Sequence, residues 1–180
     1  MTRIMKRILI ISGIVISVII FLIVGGRLYT KSFSPEDMVT YVNGDTEISV
    51  EYCRPSKKGR KIFGELEPYG EIWRTGANEA TMIRLSKDFK INGELIKAGK
   101  YSLFSIPGED SWTIIFNDQL GQWGTIYNEE RDVLRVQVDS GKLADAVEKF
   151  TIEFEAKNGE VIMILKWDDT EVKIPFVPVS

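Results

Sequence analysis

Beyond Ser34 the apolar residues recur at every second position, as in Phe150-Thr151-Ile152-Glu153-Phe154-Glu155 and Val172-Lys173-Ile174-Pro175-Phe176. Side chains alternate faces along a strand and return only after three or four residues along a helix, so this period points to half-buried β-strands. Thr46–Cys53 repeats it with Ile48, Val50 and Tyr52 on one face, and Leu134, Val136 and Val138 line another inward face with Arg135 outward. Tyr101–Ile106, Trp112–Phe116 and Val161–Trp167 are apolar on both parities, which suits central strands covered on two sides. Asn43-Gly44, Asn92-Gly93 and Asn158-Gly159 each separate two such runs, the strongest short signal for a hairpin, and Pro107-Gly108 marks a further turn. The expected fold is therefore all-β, an antiparallel sandwich of jelly-roll or immunoglobulin-like type. Two segments compete with strand. Ser140–Val147 places Leu143, Ala146 and Val147 on one side of one or two helical turns. Ser34-Pro35-Glu36-Asp37 resembles a helix start, but Met38–Val42 reads better as strand.

The front of the chain obeys a different rule. After Arg3, Lys6 and Arg7 comes Ile8–Val24, without a charge, and Gly25 and Gly26 extend it into the ~17–25 residues that span a bilayer as a helix. A cleaved signal peptide has an apolar region of only ~7–15 residues, and Val24-Gly25-Gly26 is a poor cleavage site, so we expect a retained anchor. Cys53 lies too far along to be a lipidated cysteine. Basic flanks tend to stay in the cytoplasm, which puts residues from about Leu28 onward outside. The sequence thus divides into an anchor (1–27), a linker (28–33) and an extracytoplasmic domain (34–180). Gly13-x-x-x-Ser17 permits pairing of two such helices, and nothing else specifies an oligomeric state.

Charge and composition narrow the chemistry. Taking Arg3, Lys6, Arg7 and Arg27 from the 23 basic residues leaves 19 against 26 acidic ones, a net charge of −7 beyond the anchor. That balance excludes a broad attraction to nucleic acid. The chain has no histidine and one cysteine. Imidazole-based triads and histidine-ligated metals are therefore excluded, and one cysteine does not build a thiolate zinc site. Gly93 to Gly99-Lys100 is mis-spaced for a phosphate loop and is followed by Tyr101 in place of Ser or Thr. Asp168-Asp169 and Glu129-Glu130 lack the alternating oxygen ligands of a calcium loop and read as solvated turns. We expect no metal and no cofactor. Paired carboxylates are the one catalytic chemistry left, through Glu65, Glu67, Glu71 or Glu79, and their spacing along the chain does not specify a pair.

The segment Tyr69-Gly70-Glu71-Ile72-Trp73-Arg74-Thr75-Gly76-Ala77-Asn78-Glu79-Ala80-Thr81 is neither strand nor amphipathic helix. It combines flat aromatic faces with charged and amide groups, the kit of a site for a sugar or other small polar molecule. The candidate ligand-binding residues are Arg54, Arg60, Tyr69, Trp73, Arg74, Asn78, Glu79 and Trp123, the last from the aromatic loop Gly121-Gln122-Trp123-Gly124 with Tyr127. Gly76 lets the backbone turn, so Arg74 and Glu79 are expected to meet across the loop. The competing reading is a polar plug that closes the domain without binding anything. Binding is favoured over the plug, and both over a hydrolase using Glu71 or Glu79.

Tyr52-x-Arg54-Pro55, Lys58-Gly59-Arg60-x-Ile62-Phe63-Gly64, Pro68-Tyr69-Gly70-x-x-Trp73-Arg74-Thr75-Gly76-Ala77-Asn78-Glu79-Ala80-Thr81 and Ala98-Gly99-x-Tyr101-Ser102-Leu103-Phe104-x-Ile106-Pro107 resemble the signature of a bacterial family. Trp112–Asn117 and Asp132–Val136 extend the match. The family is domain of unknown function 2911, and the likeness covers about Ser34 to Val177. The resemblance implies an exported bacterial β domain and supplies no activity and no catalytic residues.

Overall fold

The computed structural model describes residues 2–179, which divide into two compact units between Phe33 and Ser34. The first is a single helix, α1 (Arg3–Phe33), of 31 residues. At ~1.5 Å per residue it is longer than the ~30 Å hydrocarbon core of a bilayer. It is long and apolar enough to cross a membrane. Ser17 donates its hydroxyl to the carbonyl of Gly13 (2.9 Å), so this polar group is satisfied within the helix. Residues 28–33, expected as a linker, continue the helix. They contain neither Gly nor Pro, and the hydroxyls of Thr30 and Ser32 bond back to the carbonyls of Arg27 and Tyr29.

The second unit contains nine strands: β1 (Glu36–Asn43), β2 (Thr46–Cys53), β3 (Thr81–Leu85), β4 (Phe89–Ile91), β5 (Glu94–Ile96), β6 (Gly99–Ile106), β7 (Ser111–Asn117), β8 (Asp132–Lys157) and β9 (Glu160–Pro178). All neighbours are antiparallel. Their order is β1-β2-β3-β6-β7-β8-β9-β4-β5. The all-β antiparallel expectation holds, but the sheet is open, and this order defines neither a jelly roll nor an immunoglobulin-like sandwich. The reason lies in β8. Its first residues pair with β7, its later ones with β9, and one continuous strand therefore joins the two halves of the sheet, β1-β2-β3-β6-β7 and β9-β4-β5. Ser140–Val147, which tempted a helix, lies inside it. Ser140, Gly141 and Lys142 pair with Val172, Glu171 and Thr170, and the register then shifts before Val147. Such irregularities bend a strand.

All three Asn-Gly turns form hairpins. Asn92-Gly93 and Asn158-Gly159 occupy the two central positions with φ of 48° and 87°, and 54° and 84°. Those are the signs a type I′ turn requires. At the β1–β2 hairpin Asn43 still pairs with Thr46, so the turn is Gly44-Asp45, with Gly44 alone at positive φ (60°).

The bend brings the later part of β8 over β2. The Tyr52 ring of β2 meets Phe150 of β8 edge-on at 5.6 Å, and its hydroxyl accepts the N–H of Ile152 at 3.0 Å. Between them Trp73, Trp112, Trp167, Phe63 and Phe150 interlock, with Trp73 stacked on Trp167 at 5.8 Å and Phe63 against Trp112 at 4.6 Å. Each large side chain buried there contributes roughly 1.5–3 kcal/mol. β6 and β7 are buried on their second face as well. There Ala80, Phe104 and Ile115 pack with Ile106 and Tyr127.

Candidate functional site

The irregular stretch 69–81 is tied down by its backbone. Trp73 and Ser105 of β6 exchange N–H···O bonds of 2.8 Å in both directions. Thr75 shares a 2.9 Å hydroxyl contact with Ser105, and Thr81 donates its hydroxyl to the carbonyl of Thr75 at 2.8 Å. Farther along, Gly124 donates to the carbonyl of Asn78 and Ala80 to that of Gln122 (2.9 and 3.2 Å), and Glu79 faces Trp123 as a backbone pair. The stretch therefore runs as an irregular ribbon between β6 and the loop 121–124. Gly124 is required at this crossing: a Cβ there would lie 2.4 Å from Cδ of Arg74 and 2.9 Å from the carbonyl oxygen of Asn78.

This lacing distributes the eight candidate residues among separate places. Trp73 is 2% exposed and belongs to the aromatic core, so it offers no face to solvent. Arg54 is a clamp between strands, donating to the carbonyl of Phe150, the hydroxyl of Thr151 and the carboxylate of Asp37. Arg60 holds its own turn through the carbonyls of Lys57 and Ser56. Tyr69 is exposed and lies against Gly64. Asn78 is buried, stands at φ 61°, and donates its amide to the carbonyl of Ser34. Trp123 is half-buried.

Arg74 and Glu79 face different cavities. Arg74 lines a small one of about 240 Å³ with Glu67, Thr125 and Tyr127. Burial pushes the Glu67 carboxyl up to about 7, against the opposing pull of Arg74 and Arg60. Arg74 and Glu79, expected to meet across the loop, thus line separate cavities, with the left-handed Asn78 (φ 61°) between them in sequence and Arg74 acting on Glu67.

Glu79 lines the larger cleft, of about 670 Å³, together with Glu36, Asp37, Met38, Glu51, Tyr52, Cys53, Ala80, Met82, Gly121 and Gln122. Strand register assembles it. Glu36 lies directly across from Cys53 on β1 and β2, and Met38, Glu51 and Met82 form the next row across β1, β2 and β3. Glu79 and Ala80 enter just before β3, and Gln122 hangs from the loop laced to them. Of the residues expected from the sequence, only Glu79 lines this cleft. Glu36, Glu51, Cys53 and Gln122 were missed. The period-two pattern puts Glu51 and Cys53 on the face opposite Ile48, Val50 and Tyr52, but their partners come from register.

The family model described as protein of unknown function, DUF2911, matches residues 34–176. The chain belongs to this family. No curated protein and no solved structure matches it.

The DUF2911 region holds both the cleft and the network that anchors the loop carrying Gln122. Tyr127 donates to Asp132 at 2.5 Å and accepts from Arg135 at 2.7 Å, while Arg135 also bonds Asp132 (2.7 Å) and Glu129 (3.0 Å). Burial, then the bond to Asp132, pushes the Tyr127 phenol up to about 12. Asn117 ties the same Asp132 to β7 at 2.7 Å. The segment 118–131, with Gln122 on it, is thereby anchored at its far end. Of the two acidic pairs, Asp168 accepts from Lys57 and the N–H of Ile62, Asp169 from Lys142, and Glu129 from Arg135.

Proposed function

We propose that this protein is a membrane-anchored binding module that captures a small, positively charged polar ligand in the cleft between β1–β3 and the loop 121–124. α1 stays in the bacterial cytoplasmic membrane, and the β domain faces outward. One observation carries the reading: Glu36, Glu51 and Glu79 line a concave site that also has apolar surface from Met38, Met82 and Ala80. A concavity with a few convergent charged groups on an apolar floor is the usual form of a small-ligand site. The excess of carboxylates favours cations over neutral glycans, and the burial of Trp73 removes the main stacking face a glycan would use.

The second reading, a structural domain without a ligand, is favoured by the dense lacing of residues 73–81. A thermal-shift screen on the full chain in detergent micelles separates the two. Diamines and basic amino acids are expected to raise the melting temperature, with neutral sugars inert. Glu51→Gln, at an exposed position on the cleft wall, abolishes the shift. A screen in which no compound moves the melting temperature returns the domain to the structural reading, and shifts from neutral sugars alone remove the preference for cations.

A further inference from the structure

Three side chains in this cleft carry metal-ligating atoms and come from three separate parts of the chain. Glu36 and Cys53 are direct cross-strand partners, and Glu79 arrives from the ribbon that precedes β3. One carboxylate oxygen of each glutamate and the Cys53 sulfur all lie within 4.8 Å of one another. In a tetrahedral zinc site, bonds of about 2.0–2.3 Å set neighbouring ligand atoms ~3.5 Å apart, so modest side-chain adjustment closes the triangle.

A second observation in the same cleft points to a ligand. Gln122 is 9% exposed, and its amide nitrogen donates to the Ser102 hydroxyl at 3.2 Å. That bond fixes which end of the amide is which. Its carbonyl oxygen, Oε1, is buried with no hydrogen-bond partner, on a residue that lines the cleft. A buried acceptor without a donor costs about 1–3 kcal/mol. A cation in the cleft, or water bound to that cation, offsets this.

We propose that Glu36, Cys53 and Glu79 form a binding site for a divalent transition-metal ion of the Zn²⁺ class, with Gln122 Oε1 as its fourth neighbour, directly or through a bound water. The proposal rests on reading this cleft as the binding site and names its ligand. Donor chemistry sets the class. Calcium and magnesium require all-oxygen shells, whereas one thiolate with two carboxylates suits a borderline-soft ion. Met38 and Met82 on the cleft wall add soft surroundings. Two glutamates and a thiolate carry three negative charges, enough to hold a divalent ion. Binding deprotonates Cys53, so one proton passes to solvent for each ion bound. With Gln122 Oε1 reached through a bound water, three protein ligands and an exchangeable fourth position make this the arrangement of an exchangeable or reactive site; with Gln122 bound directly it is a closed one.

The test uses the full chain in detergent, stripped with chelator and kept reduced. Isothermal titration with Zn²⁺ is expected to show one site per chain, with proton release into buffers of different ionisation enthalpy. Cd²⁺ is expected to give a thiolate-to-metal charge-transfer band. Gln122→Ala weakens binding by roughly 10-fold, at the low end for a supporting residue. Cys53→Ser and Glu79→Gln weaken it by more than that, and Cys53→Ser removes the band. Circular dichroism of each metal-free variant checks that it is folded, and Glu36→Gln supplies an independent ligand change if Cys53→Ser is not. Zn²⁺ binding that survives both Cys53→Ser and Glu79→Gln, or Cd²⁺ binding without the band, overturns the site. If Zn²⁺ does not bind but diamines still shift the melting temperature through Glu51, the metal proposal falls and the cleft reading stands. If neither binds, both fall.

Discussion

Glu67 and Cys53 show how a side chain's surroundings decide its chemistry. Each was visible in the sequence, Glu67 as one of four neighbouring acids and Cys53 as a lone thiol, and neither was legible as more. What distinguishes them is contact with distant residues: Glu67 sits beside Arg74 and Tyr127, and Cys53 beside Glu36 and Glu79. For Glu67 this has a measurable consequence. Its carboxyl is pushed up to about 7, mainly by burial, whereas in the unfolded chain it ionises near 4.5. Between those values the folded protein holds the proton more often than the unfolded chain does, so stability falls as pH rises through this window and levels off above it. Discounted for its partial exposure, the loss is about 1–3 kcal/mol. Glu67→Gln cannot ionise and is expected to lack it. The variant should melt with the parent at pH 4.5 and above it at pH 8. Arg74→Ala should move the parent's loss to higher pH, because Arg74 favours the charged carboxylate. Identical pH profiles for parent and Glu67→Gln would show that Glu67 titrates as an exposed acid.

At the scale of elements, the short strands and hairpins were readable because their signals are local. Period two marks a face, and Asn-Gly marks a reversal. The long paths of β8 and β9 were not readable. Gly141 and the sequence Leu143-Ala144-Asp145-Ala146-Val147 locally favour a break and a helical turn, but pairing with β9 on either side, at Gly141 and Lys142 and again at Val147, keeps the segment between extended. Beyond that bend the fold is held by contacts that skip the local order, and Asp168 is the clearest. It is 5% exposed, stands at φ 54° in β9, and accepts from both the Lys57 ammonium and the N–H of Ile62. One carboxylate thus attaches the loop carrying Ile62 and Phe63, and with it the aromatic core, to β9. Asp168→Ala leaves a buried N–H and a partly buried ammonium without their acceptor, at about 3–5 kcal/mol. For a domain of this size that is a drop of roughly 6–20 °C in melting temperature. Exchange of the Ile62 amide with deuterium should accelerate more than that of β6 and β7. A loss below about 1 kcal/mol would mean that the loop is held by its apolar contacts alone.

For the molecule as a whole, the two units follow different physical rules, and the sequence separates them by charge. The helix carries basic residues at Arg3, Lys6 and Arg7 ahead of its apolar run, while every acidic residue lies after it. Basic residues next to a span resist translocation, and acidic ones contribute little to orientation, so the asymmetry favours a cytoplasmic start and an external β domain. If the β domain is external, as proposed, the cleft lined by Glu36, Glu51 and Glu79 would meet its ligand outside the cytoplasm. The helix is also longer than a bilayer needs, so part of it extends beyond the hydrocarbon core or the helix tilts within it. We expect the full-length chain to fractionate with membranes and to resist extraction by high salt or carbonate. A C-terminal fluorescent protein that matures only in the cytoplasm should stay dark, and a periplasmic phosphatase fused at the same point should be active. Replacing Arg3, Lys6 and Arg7 with glutamine should weaken this bias and give a mixed population. A bright cytoplasmic reporter on the parent would reverse the orientation, and a soluble mature form beginning near Arg27 would make α1 a cleaved leader and free the β domain from the membrane.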